Sequence, residues 1–230
     1  MRNPARPLLA AVLGLALLAG GCGGSQGPDV APHRAMTRAA HLLEHTPSVH
    51  LTLSTDGKPR GNGIIGAGGT LSGPSATPAF RGRVRVSIGG LDANVPVVSV
   101  DGKVHARLPM STGWAVIDPH QYGAPDPADF ITARGLPRLL TELSHLKSEG
   151  STRDGRLVLA GYSGTLSGRL VEGLLPGASP DASYPVRLGV DPGGRLRTVT
   201  VTGRFFSGSG SLGYHLALDH YGKHVTITAP

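Results

Sequence analysis

The sequence predicts an α+β fold built on one large antiparallel β-sheet. Three observations carry that reading: period-two apolar alternation in many short runs, tight turns between them, and only two longer stretches with helical spacing. The 230 residues suffice for one sizeable domain or two small ones. With 35 glycines and 19 prolines, about a quarter of the chain is turn-forming, while a hydrophobic fraction of 39% argues against disorder. The single cysteine excludes an intramolecular disulfide and every cysteine-based zinc pattern.

The first 22 residues are the strongest local signal. Arg2 and Arg6 precede an apolar run from Leu8 to Ala19. As a helix, those residues reach only about 18 Å, short of a ~30 Å hydrocarbon core, so the run reads as a secretory signal over 1–21. It ends Leu18-Ala19-Gly20-Gly21-Cys22, which resembles a bacterial lipobox, with Ala19 where leucine is usual. Acylation of Cys22, by a thioether-linked diacylglycerol and a palmitoylated amine, exceeds the two-chain requirement for stable anchoring. Cys22 is therefore the expected lipid anchor, placing the mature chain on the extracytoplasmic face of the cell membrane. Residues 22–32, rich in Gly, Ser, Gln, Pro and Asp, read as the lipidated cysteine and a flexible tether, with one domain over 33–230.

Loss of Arg2 and Arg6 with the leader leaves 20 basic against 15 acidic residues, lowering the net charge from +7 to +5. No basic run exists and aromatics are few, so nucleic acid is an unsuitable partner. A mild attraction to an anionic membrane remains.

Within the domain, His33–His45 has helical spacing and stops before Pro47. Strands follow at 49–54, 64–71, 83–88, 95–100, 104–108 and 114–117, with Asp101-Gly102 as a hairpin turn. Arg83–Ile88 alternates arginines with Val84, Val86 and Ile88. Gly135–Lys147 carries Leu136, Leu139, Leu140, Leu143 and Leu146 and reads as an amphipathic helix with Pro137 in its first turn. Strands resume at 156–166, 184–190, 195–202, 212–218 and 224–228, with a short helix over 169–175.

This order carries a resemblance. A lipobox, an amphipathic helix, Ser48-Val49-His50-Leu51-Thr52-Leu53 and Val98-Ser99-Val100-Asp101-Gly102-Lys103-Val104-His105-Ala106 come in turn. Trp114, a Leu-rich central helix and a terminal Tyr221-Gly222-Lys223-His224-Val225-Thr226-Ile227-Thr228-Ala229-Pro230 follow. The chain resembles the actinobacterial LppX/LprAFG lipoproteins and is most similar to their LprG type, although relatives often have tryptophan at the position of Tyr221. The resemblance implies a half-barrel antiparallel sheet with helices across its concave face, enclosing an apolar cavity for the acyl chains of lipids or glycolipids. It also implies carriage across the extracytoplasmic space, a membrane lipid exporter as partner, no cofactor and no catalysis.

Physical chemistry tests that picture independently. A closed core needs bulky side chains at near-crystalline density. With only ten aromatics and much Gly, the sheet is expected to be under-filled, leaving an apolar void. The candidate wall residues are Met36, Leu43, Val84, Val86, Ile88, Val97, Leu136, Leu139, Leu140, Leu143, Val199 and Val201. Any one of them fits ordinary core more readily than cavity wall, and composition alone does not separate the two readings. In the lipid-binding reading, helices 135–147 and 33–45 form a lid, the sheet forms the floor, and arginines at the mouth pair with head-group phosphates.

Catalytic-looking strings are weak. His41-Leu42-Leu43-Glu44-His45 fits H-x-x-E-H, but Pro47 ends its helix, and two histidines there also suit a helix C-terminus. Gly61–Gly66 and Gly208–Gly213 fit G-x-G-x-x-G without leading into a helix. Asp126 and Asp129 sit in a Pro-rich helix start, and His50, His105 and His215 are expected on a solvated strand face. Neither a catalytic residue nor a metal ligand emerges. The alternative to a lipid carrier is a membrane-tethered lipoprotein with a filled core, acting as an interaction or scaffold module.

Overall fold

The computed structural model describes residues 31–57, 62–73, 77–122, 124–175, 177–205 and 210–230. The expected leader, Cys22 and most of the tether lie outside the described residues.

The chain begins with helix α1 (Pro32–Glu44), whose first helical position is the final tether residue, Pro32. Pro is tolerated there because that N–H has no intrahelical partner. Ala35, Met36, Ala39, Ala40 and Leu43 form its buried stripe. Six strands follow: β1 (Ser48–Thr55), β2 (Gly63–Ser72), β3 (Ala79–Ile88), β4 (Leu91–Val100), β5 (Lys103–Ala106) and β6 (Ala115–Ile117). Asp101 and Gly102 both have positive φ, 53° and 66°, as the two-residue β4–β5 hairpin requires. Two 3₁₀ helices (Pro119–Tyr122 and Pro127–Ile131) and helix α2 (Leu136–Thr141) carry the chain to the far edge of the sheet. It returns through β7 (Ser144–Asp154), β8 (Leu157–Ser167), α3 (Gly168–Glu172), β9 (Ser183–Val190), β10 (Leu196–Gly203) and β11 (Leu212–Asp219).

All eleven strands form one sheet, in the order β6-β5-β4-β3-β2-β1-β11-β10-β9-β8-β7. Every neighbouring pair is antiparallel. The outward and returning halves meet where β1 pairs with β11, as in Leu53↔Leu216. Residues directly opposite share a face, so Val84, Val95, Ala67 and Leu53 fall on one inner face. The helices cover it: α1 packs on α2 and reaches β7 and β10, while the second 3₁₀ helix lies over β2, β3 and β4. A single buried apolar cluster spans these layers.

Two sequence expectations need correction. The helix over 135–147 is only Leu136–Thr141. Leu143 still points into the core at 5% exposure, but Ser144 already pairs with Thr165 and His145 has φ 51°. The remainder is β7, an edge strand whose two exposed faces lack apolar alternation.

The strand expected over 224–228 is absent from the ladder. The chain leaves β11 in the middle of the sheet, where both edges of each strand are taken, so the tail crosses the outer face. Ile227 buries against Ala79, Val98 and Val100, and Arg81 Nη2 donates to the Thr228 carbonyl at 2.8 Å.

Candidate functional site

Among the described residues, two small apolar cavities lie on the inner face. The first measures about 100 Å³. Its floor is Val84, Val86 and Ile88 of β3, Ala93, Val95 and Val97 of β4, and Val104 of β5. Its roof comes from Leu108, Pro109 and the Pro-rich stretch between Pro119 and Pro127. Proline suits such a roof because it covers apolar surface without burying an N–H that needs a partner.

The second cavity, about 40 Å³, is floored by Leu53, Val199, Val201, Tyr214 and Leu216. It is roofed by Phe130, Leu136, Leu139, Val171, Leu174 and Leu175. The 3₁₀ helix Pro127–Ile131 contributes Pro127 to the first wall and Phe130 to the second, so it stands as the partition between them. Asp126 fixes it: one carboxylate oxygen accepts from the Ala128 N–H at 2.9 Å and from the Ser99 hydroxyl at 2.6 Å.

The twelve expected wall residues divide accordingly. Val84, Val86, Ile88 and Val97 line the first cavity, and Leu136, Leu139, Val199 and Val201 the second. Met36, Leu43, Leu140 and Leu143 line neither; they are buried in the surrounding core. The lid differs from expectation as well, because the first cavity is roofed by proline-rich loops and 3₁₀ helices and by neither helix 33–45 nor the segment 135–147.

Sequence reasoning missed the aromatic and proline contributors, Tyr122, Pro125, Pro127, Phe130 and Tyr214. Alternation signalled Val95, which shares parity with Val97, but the roof has no period to read.

An apolar cavity of about 150 Å³ holds one benzene. Even taken together the two are no larger, so as they stand neither admits an acyl chain. One aromatic cluster fills part of the inner face: Phe205 stacks on Tyr184 at 5.0 Å and meets Tyr214 edge-on at 4.7 Å.

The polar strings have structural partners. The His41 and His45 rings stack at 4.1 Å, and His45 Nδ1 hydrogen-bonds the His41 carbonyl oxygen. His215, paired with Thr200 across β10–β11, lies beside Asp56 at 2.5 Å with its side chain 41% exposed, on a solvated face as expected. No group of three metal-ligating side chains occurs among the described residues.

Residues 31–227 match the family described as LppX_LprAFG lipoprotein. The chain is 27% identical over 252 aligned positions to the lipoarabinomannan carrier protein LprG of Mycobacterium tuberculosis (strain ATCC 25618 / H37Rv), covering 100% of this chain and 99% of that protein. The LprG of Mycobacterium bovis (strain ATCC BAA-935 / AF2122/97) matches equally. Among solved structures, LprF from Mycobacterium bovis superposes with TM-score 0.71 at 13% identity, covering 86% of this chain and 96% of that one. LppX from Mycobacterium tuberculosis gives 0.63 at 18% identity, covering 87% and 100%. Both share the large open antiparallel sheet.

Proposed function

The chain belongs to the LppX_LprAFG lipoprotein family, and from that premise we propose that it binds the acyl chains of a lipid or glycolipid between its sheet and its roof. The observation that carries the proposal is the pair of apolar cavities divided by a single short 3₁₀ helix. Displacing that helix would join them and add the volume it vacates, giving a channel across the inner face with β1–β5, β10 and β11 as floor. Each methylene taken from water contributes about 0.8 kcal/mol, so a partly enclosed acyl chain supplies enough for tight binding without any covalent step.

The named relatives, lipoarabinomannan carriers, support an acylated glycolipid as the ligand class. Acylation at Cys22 would hold the domain at the outer surface of the cell membrane, from which it would carry or shield lipid across the envelope space, loaded by or delivering to a membrane lipid exporter. The small cavities favour a second reading, a tethered scaffold whose core is simply filled.

Mass spectrometry of lipid extracted from the purified, non-acylated domain separates the two. A co-purifying acylated lipid and saturable uptake of a fluorescent fatty acid are expected. Absence of both leaves the scaffold.

A further inference from the structure

Beside the first cavity runs an open groove of about 720 Å³. The two share Ile88, Ala93, Leu108 and Pro109, so the groove is the cavity's outer rim. It forms because β4 begins at Leu91 whereas β5 ends at Ala106, opposite Val97, leaving the first stretch of β4 without a strand neighbour on that side.

Apolar side chains crowd this rim although water surrounds it. Leu91, at the β3–β4 hairpin tip, is 78% exposed, and Ile88 beside it 41%. Met110, in the loop that roofs the cavity, is fully exposed with φ 65°, a conformation unusual for methionine. Trp114, the chain's single tryptophan, precedes Ala115, which pairs with Ala106; this sets it beside the groove residue Arg107, and it is 39% exposed. Exposed apolar groups gathered at one place mark a contact surface. The groove is also basic: Arg83 and Arg107 line it against one acid, Asp92, and Arg85 extends the row along β3.

We propose that this rim is a docking surface for an anionic phospholipid bilayer. Leu91 and Met110 enter the interface between head groups and acyl chains, and Trp114 rests at head-group level. Arg83 and Arg107 pair with lipid phosphates. The mouth of the first cavity then opens onto the bilayer, so a chain passes between them without crossing water. The surface is distinct from the anchor at Cys22. It gives direction to the acyl-binding reading, but its docking is measurable without it.

The test uses the chain from Gly23 onward, which retains every described element, and vesicles of phosphatidylglycerol mixed with phosphatidylcholine. Docking predicts co-sedimentation, a blue shift of Trp114 emission, and its quenching by lipids brominated on the acyl chain. Leu91→Asp combined with Met110→Asp should weaken partitioning by about tenfold or more. Arg83→Glu with Arg107→Glu should remove the preference for phosphatidylglycerol. Val158→Asp, at an exposed apolar position on β8, serves as control and should leave partitioning unchanged.

An unshifted Trp114, or equal loss in the control and the rim variant, overturns the proposal. Fatty-acid uptake from solution, measured on the same variants, reports cavity binding separately. If uptake persists where docking fails, the docking proposal alone falls.

Discussion

Gly69 of β2 and Gly82 of β3 face each other with the ring of Phe80 across both. A Cβ on either would stand 2.6 Å from that ring. Phe80 is 1% exposed, so the glycines are the bed on which an aromatic lies, an arrangement that keeps aromatics and glycines paired in sheets. At Gly82 a Cβ would also meet the Gly68 carbonyl oxygen at 2.2 Å, forcing backbone as well as ring to move. Gly82→Ala should therefore destabilise the fold by about 1–3 kcal/mol, seen as a lower thermal midpoint. A Phe80→Leu background should recover part of that loss, because the ring contact is then relieved. Additive losses in the double variant would contradict the arrangement.

That pair also shows how far the sequence could be read. The Gly-rich, aromatic-poor composition suggested an under-filled inner face; the structure places aromatics where glycines make room, and the two apolar cavities found among the described residues are small. Strands with one buried face, such as β1 and β9, were legible because alternation is imposed by burial on one side. Strand β7 was not, since an edge strand exposed on both faces carries no period. The tail at 224–228 misled for the converse reason: it alternates because Ile227 is buried on the outer face, without a ladder. The floor of the candidate site followed from strand parity. Its roof did not, because prolines in turns are placed by tertiary contacts alone.

Asp126 joins that roof to the sheet. Its carboxylate both caps the 3₁₀ helix through the Ala128 N–H and accepts from Ser99, a buried hydroxyl at 1% exposure. Asp126→Ala removes the cap and leaves the Ser99 hydroxyl unpaired, for a loss of about 2 kcal/mol by chemical denaturation. The same variant should accelerate fatty-acid uptake, since the partition is held less firmly. Ser99→Ala, which removes the sheet contact but spares the cap, should cost less. Equal uptake rates in the parent and Asp126→Ala would show that the partition does not limit entry.

Alkaline pH tests the burial of two tyrosines. Tyr214 donates its hydroxyl to the Ile64 carbonyl at 3.0 Å, and burial pushes its pKa from 10.0 up to about 12. Burial likewise raises Tyr221, with Arg197 pulling the opposite way. A raised phenol pKa means the folded state prefers the neutral form. This contribution is complete below pH 10 and lost as pH climbs from 10 through about 12. Stability should therefore fall steeply only above pH 10. Tyr214→Phe should be less stable by about 1 kcal/mol at neutral pH, through the lost hydrogen bond, yet decline less steeply at high pH. Parallel alkaline profiles for the two proteins would argue against a shifted Tyr214.

The cavity walls make opposite predictions for added and removed bulk. Val95, at 7% exposure, belongs to the floor of the first cavity, so Val95→Trp fills the roughly 100 Å³ void and crowds the proline roof. Uptake of a fluorescent fatty acid should drop by about tenfold or more, because the lost burial of even two methylenes accounts for that factor. Phe130 is the bulk of the partition on the second side, at 9% exposure. Phe130→Ala removes it at a stability cost of about 3–5 kcal/mol. Phe130→Leu keeps more of the packing and provides the variant to use if the alanine unfolds. Both should bind longer acyl chains relative to short ones than the parent does, as read by competition between fatty acids of different length. Since the change lies in the partition and not at the mouth, selectivity should shift while the on-rate for the shortest chain stays near that of the parent. Loss of affinity for all lengths alike would mean that the two cavities never join.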